Sequence, residues 1–221
     1  MKKGFLVLVC VCITAFAFGA DFKMSTGGGV FGGAINGVKG DQEVEVGPIK
    51  TTTETLFSSP TFGGFFFFDA TYVEANLAYM YGTPSSSFIT KTTNSGSLVS
   101  SGSDDFSGSF SALEIALLGK YPFKLGERWN LFPLLGISYM MVFHSEAEGI
   151  TANKPFEASR LGFQGGVGAD FSLTKSLFLR GEFLWYIWLP SQSERDALKE
   201  GSVSVGNGPR FKLAVGYSFG Q

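Results

Sequence analysis

Eight charged residues stand out because each falls on the polar side of an otherwise apolar alternation. Four are acids, Glu74, Glu114, Asp170 and Glu182, and four are bases, Arg160, Arg180, Arg210 and Lys212. The chemistry open to such a set is ion pairing. A charge removed from water is tolerated only when it is paired and hydrogen-bonded. Equal numbers of each sign cancel, so the set reads as an interior network. A static network filling an interior and a gate whose pairs exchange partners both fit the sequence.

Other chemistries are poorly supplied. His144 is the single histidine, with Ser145 and Glu146 beside it. Neighbours on a strand point to opposite faces, so no catalytic partner is placed and no enzyme is expected. Cys10 and Cys12 both lie in the first twenty residues. A chain that loses that segment has no disulfide, no thiolate and no cysteine metal site; no metal and no cofactor are expected. The run GGGVFGG at 27–33 is followed by no Gly-Lys-Ser/Thr and opens no helix, so it is not a phosphate loop. A net charge of −2 offers no basic surface to nucleic acid.

The elements that would position the eight charges are clearest between Ser159 and Leu189. There Leu161, Phe163, Val167, Ala169 and Phe171 share one face, opposite Arg160, Gly162, Gln164, Gly166, Gly168 and Asp170. After the polar stretch Ser172–Ser176, Leu177, Leu179, Phe183, Trp185 and Ile187 oppose Phe178, Arg180, Glu182, Leu184, Tyr186 and Trp188. Period-two alternation predicts two strands and a hairpin turn. Each strand runs to about 12 residues, against about 5–6 in soluble domains and about 9–11 for a tilted strand crossing a bilayer. An apolar face against lipid and a mixed face against a lumen is the pattern of a membrane barrel. A soluble ligand barrel of the lipocalin type alternates too, with its apolar face inward. The small residues of the polar face, the alternating connection lengths and the aromatic final strand favour the apolar face outward.

Residues 1–20 read as a secretory signal peptide, with Met1-Lys2-Lys3 before an apolar run and cleavage after Gly19 or Ala20. The domain is then 21–221. Strands are expected over Phe22–Ile35, Thr61–Phe68, Tyr72–Tyr81, Phe106–Tyr121, Trp129–Phe143, the two of the hairpin, and Arg210–Phe219. Polar connections are expected over Asn36–Pro60, Gly82–Asp105, His144–Ala158 and Pro190–Pro209, the last with a short helix from Ser193 to Lys199. Asp69-Ala70-Thr71 and Pro122–Arg128 are expected as tight turns. Long gaps of about 15–25 residues thus alternate with short ones of about 3–8, as in outer-membrane barrels with short periplasmic turns and longer outer loops. The fold class is therefore all-β, an eight-stranded antiparallel transmembrane barrel of the outer-membrane type, read as a monomer. Aromatic girdles are expected from Phe68, Tyr72, Tyr121, Trp129 and Phe171 at the periplasmic ends, and from Tyr81, Phe143 and Trp188 at the other. Strand direction places Met140, Val142, Leu184, Tyr186 and Trp188 high in the lumen. They would form an apolar pocket for a small hydrophobic molecule, or pack beneath the outer connections.

The segment GFQGGVGADFSLTKSLFLRGEFLWYIW resembles the corresponding hairpin of OmpW-type small outer-membrane barrels. The resemblance rests on Gln164, Gly166, Val167, Asp170, Leu173-Thr174 and Trp185-Tyr186-Ile187. VGYSF at 215–219 is similar to the closing strand read by the outer-membrane insertion machinery. The resemblance implies eight strands, a narrow channel with an apolar interior, and passage of small hydrophobic molecules, with lateral exit through the wall into outer-membrane lipid. The alternative from another class is a plugged barrel whose Ser/Thr-rich outer loops bind host molecules or other partners.

Overall fold

The computed structural model describes residues 23–94, 97–147, 150–151, 159–189 and 206–219. The signal peptide and the helix expected from Ser193 lie outside these residues. Eleven strands are present: β1 (Met24–Val46), β2 (Ile49–Ala70), β3 (Val73–Gly82), β4 (Ser85–Asn94), β5 (Ser97–Lys120), β6 (Phe123–Leu125), β7 (Trp129–Ala147), β8 (Ile150–Thr151), β9 (Arg160–Ser172), β10 (Leu177–Trp188) and β11 (Gly206–Phe219). They amount to eight barrel strands. β4 prolongs β3 in the same register after a break at Thr83-Pro84. β6 likewise prolongs β5 after Tyr121-Pro122. A proline has no N–H to give the ladder, so the breaks fall there. β8 folds back on the end of β7.

All pairings are antiparallel, and the circuit runs β1–β2–β3–β5–β7–β9–β10–β11 and back to β1. Closure removes the unpaired edge that hydrocarbon would not tolerate. The apolar face looks outward: Leu135, Leu213 and Val30 are 73%, 68% and 65% exposed. Aromatic pairs ring the short-turn end, with Tyr72 on Tyr121 (5.9 Å), Tyr121 on Phe123 (5.0 Å) and Trp129 on Phe171 (4.8 Å). At the other end Phe62 meets Tyr81 (5.3 Å) and Tyr79 meets Phe143 (6.0 Å). Trp188 departs from the expected outer girdle. It is buried in the lumen, because its even position shares the inner face of β10 with Arg180 and Glu182.

The connections Asn36–Pro60 and Gly82–Asp105 depart more. Neither is a loop. β1 and β2 stay paired from Asn36↔Ser58 up to Val46↔Ile49, and Gly47 turns the chain at φ +61°. β2 continues onto β4, and β4 onto β5. Ser and Thr read as loop formers, yet threonine is β-branched and pairs well across strands; the Thr51 and Thr92 hydroxyls lie 3.4 Å apart. The pairings of β11 to β1 end at Asn36↔Asn207 and those of β7 to β5 at Gly108↔Ala147. Beyond these points a four-stranded fin, β1–β2–β4–β5, continues outward by about ten residues, or about 30 Å at the rise of a strand. The turns shift slightly as well. Asp69 and Ala70 belong to β2, and the turn is Thr71-Tyr72, with Thr71 at φ 40°.

The lumen is narrowed by rings lying over glycines of the neighbouring strand. Phe31 covers Gly63, Phe67 covers Gly27, Phe132 covers Gly168, Phe178 covers Gly216 and Trp188 covers Gly162; a Cβ at any of these glycines would strike the ring. The inner face therefore holds large aromatics as well as Gly, Ala and Ser.

Candidate functional site

β10 runs outward and sets the levels of the lumen. Its inner face presents Phe178, Arg180, Glu182, Leu184, Tyr186 and Trp188 in turn.

The first level is built on Arg180. Its Nε and Nη2 donate to the two oxygens of Asp170 (2.7 and 2.8 Å), Nη1 donates to Glu74 Oε2 (2.6 Å) and Nη2 to Asp69 Oδ2 (2.7 Å). Lys120 also bridges to Asp69, and Asn76 Nδ2 donates to Glu74 Oε1 (2.7 Å). The guanidinium stacks against Phe67, Phe132 and Phe178, with ring centroids at 4.4, 5.0 and 5.2 Å. A planar cation of five donors suits this crowded position, whereas an ammonium has three donors for the four hydrogen bonds made here and no fork for the two oxygens of Asp170.

At the second level Glu182 faces Lys212 across the β10–β11 ladder, with Nζ 3.4 Å from Oε2. At the third, Arg210 Nη1 donates to Glu114 Oε2 (2.6 Å) and to the Tyr186 hydroxyl (2.9 Å), and Nη2 approaches Met80 Sδ (3.4 Å). β5 and β11 are four strands apart in a circuit of eight, as are β3 and β10. The pairs Arg210–Glu114 and Arg180–Glu74 therefore join opposite walls and bar the lumen.

Seven of the eight charges read from the sequence enter these ties. Arg160 sits higher, at the start of β9 beside Gly206. Sequence reasoning missed Asp69 and Lys120. The sequence reading places Asp69 in a turn, although its odd position opposes outward-facing Phe66 and Phe68. Lys120 continues the even series of Ala112, Glu114 and Ala116 on β5. Adding both keeps the signs balanced, and the network divides into three levels rather than one cluster.

The five apolar residues proposed as a pocket all face the lumen and are all buried. Tyr186 and Trp188 stack with centroids 5.5 Å apart. Ser138, Gln164 and Trp188 surround Gly162, and Ser138 Oγ, both amide atoms of Gln164 and Trp188 Nε1 have no hydrogen-bond partner among the described residues. Water is excluded at every level: Glu74, Phe67, Met80, Leu118 and Leu184 are 0% exposed, and Arg180 and Arg210 are 2% exposed. His144 lies on β7 with its backbone opposite Ser111. Among the described residues no group of His, Cys, Asp or Glu could hold a metal ion.

The family described as the outer membrane protein beta-barrel domain matches residues 4–219. Among solved structures, the chain is similar to the outer membrane protein OprG from Pseudomonas aeruginosa, at 12% identity and TM-score 0.48 over 90% of this chain and 96% of that one. It is similar to Ail, the attachment invasion locus protein of Yersinia pestis, solved with the heparin analogue sucrose octasulfate, at 12% identity and TM-score 0.38 over 90% and 100%. It is also similar to Neisserial surface protein A, at 11% identity and TM-score 0.39 over 90% and 96%. No curated protein matches it.

Proposed function

We propose, for a chain that belongs to the outer membrane protein β-barrel domain family, that it is a closed anchor in the outer membrane acting through its outer fin. The observation that carries this reading is the lumen: two ion pairs join opposite walls, and the side chains between them exclude water. A solute cannot pass without breaking both ties. The fin is the part of the described chain that stands beyond the barrel. Its strands carry Asp41, Glu43, Glu45, Glu54, Asp104 and Asp105 against Lys39, Lys50 and Lys91. Six acids against three bases favour a partner with a cationic surface. No chemical step is assigned to His144 in this reading.

A second reading draws on the five apolar side chains gathered under the outer mouth, Met140, Val142, Leu184, Tyr186 and Trp188. It holds a small hydrophobic solute there.

Two measurements decide between them. Planar-bilayer conductance and liposome swelling with the wild-type protein should both stay at background. Binding of lysine-rich peptides to the protein in nanodiscs should weaken with salt. It should disappear when residues 38–57 are replaced by an Asn-Gly turn, while heat-modifiable gel mobility is retained. Flux of solute, or peptide binding that survives removal of the hairpin, would overturn the closed-anchor reading.

A further inference from the structure

Polar atoms without partners are gathered in one place in the upper lumen. Ser138 on β7 and Trp188 on β10 flank Gly162 on β9, and Gln164 is the next inward-facing residue of β9. Ser138, Trp188 and Gln164 are 2%, 1% and 1% exposed. Ser138 Oγ, Trp188 Nε1 and both amide atoms of Gln164 have no hydrogen-bond partner among the described residues. Buried polar groups are rarely left so, and four such atoms on three adjacent strands mark a place prepared for a partner.

The surroundings set what that partner is. Ala116, Ser138 and Gly162 form one row of small residues across β5, β7 and β9, and Gly136 stands beside Gln164 in the row below. The Trp188 ring covers Gly162; a swing of that ring uncovers a floor of small residues with the Gln164 amide at its lower edge. Tyr186 and Trp188 stack on each other and offer an aromatic surface for a flat body. The indole N–H only donates, whereas the Gln164 amide both donates and accepts through adjacent atoms. Arg210 and Glu114, at the level of Tyr186, are tied to each other and offer no free counter-ion. A neutral head with a neighbouring donor and acceptor therefore fits the unpaired atoms.

We propose that this place is a binding site for a small, planar, neutral carboxamide or lactam that enters from the outer mouth. Its C=O accepts from the N–H groups of Trp188 and Gln164, its own N–H donates to Gln164 Oε1, and its apolar body lies against the Tyr186 ring and Met140. The inference rests on the second functional reading, a solute held under the outer mouth, and gives that solute its chemistry. The site lies at and above the level of the Arg210–Glu114 tie, so occupation from outside leaves both bars of the lumen in place. A solute with no hydrogen-bonding head leaves the same polar atoms unpaired and is rejected.

Three probes of one shape test it on the protein in nanodiscs: benzamide, which donates and accepts, acetophenone, which only accepts, and α-methylstyrene, which does neither. The readout is the NMR shift of the Trp188 indole N–H and of the Gln164 amide in isotope-labelled protein, which partitioning into bulk lipid does not saturate. Benzamide should give saturable shifts at both groups, with an affinity about tenfold above that of acetophenone, a ratio equal to about 1.4 kcal/mol. α-Methylstyrene should give none. Gln164→Met should bring benzamide and acetophenone to within about twofold of each other at the Trp188 signal, since the reciprocal pair of hydrogen bonds is gone. Trp188→Phe, which keeps a ring and loses the N–H, should weaken benzamide several-fold at the Gln164 signal. Heat-modifiable mobility establishes that both variants are folded. Binding of α-methylstyrene as tight as that of benzamide would leave a hydrophobic solute under the mouth and overturn the amide assignment, whereas no saturable response to any probe would overturn both. An unchanged preference for benzamide in Gln164→Met, or a loss of stability in that variant, the sign of an amide already satisfied by internal water, would also overturn the proposal.

Discussion

Replacing Arg180 with methionine should destabilise the barrel by about 3–5 kcal/mol, the cost of breaking a buried ion pair on one side only. Arg180 makes four hydrogen bonds to three carboxylates. Without it, Asp69 keeps Lys120, and Glu74 keeps the Asn76 amide. Asp170 loses both of its hydrogen bonds to Arg180, and Glu74 loses its cation. The rings of Phe67, Phe132 and Phe178 limit the water that could compensate. Urea unfolding in lipid vesicles, followed by tryptophan emission and by gel mobility, reads the change. At a slope of about 2 kcal/mol/M, a loss of 4 kcal/mol moves the midpoint by about 2 M. Adding Glu74→Gln and Asp170→Asn to Arg180→Met should recover a large part of the loss, since the penalty is chiefly that of orphaned charge. Arg180→Lys should fall between, because an ammonium keeps the charge but loses the forked pair of bonds to Asp170. A loss below about 1 kcal/mol in Arg180→Met, the range of an exposed pair, or no recovery in the triple variant, would refute the argument that this level is dry and tightly coupled.

Other outcomes follow from the same geometry. Leu213→Arg, on the lipid face, should cost about 2–4 kcal/mol near the midplane and should not be recovered by adding Glu182→Gln, whereas Lys212→Leu acts by orphaning Glu182 and should be largely recovered by it; the opposite pattern of recovery in urea titration would contradict the facing of β11. Gln164→Met should stabilise the fold by about 1 kcal/mol, because it removes two buried groups without partners; a loss instead would mean that the amide is satisfied by water or ligand. Gly168→Leu should collide with Phe132 and lower the refolding yield, while Gly32→Leu, where a Cβ meets nothing within 4 Å, should refold like wild type.

The facing of the strands was legible because a period of two is unambiguous over a strand as long as β10 or β11. Arg180, Glu182, Arg210 and Lys212 marked the lumen side, and the outward stripe of Leu213, Val215 and Tyr217 marked the other. Strand ends were less legible. Thr51–Thr53 and Ser85–Ser87 carry no apolar alternation, since a fin above the membrane has no lipid to face, and composition alone reads them as loop. Pro84 gave a further false stop: the ladder resumes in the same register at Ser85. The candidate site was read as a list of charges, and parity gave their side of the wall. Which acid meets which base depends on strand order around the circuit, which places β3 opposite β10 and β5 opposite β11. Asp69 was lost because a residue at a turn was assumed to leave the ladder. The aromatic lining was missed because the bulk of Phe67 and Phe132 is accommodated by glycines on other strands, a relation that no single segment displays.

The seam where β1 meets β11 joins Met24 to Phe219, nearly the two extremes of the described chain. It pairs Gly27 with Gly216 and Gly29 with Ala214, so backbone bonds rather than interlocking side chains hold much of it. Such distant partners are slow to find one another. Synthesis and export must both reach the final segment before the cylinder can shut. Until then the first strand carries an unpaired flank, the kind of edge that invites pairing with other chains.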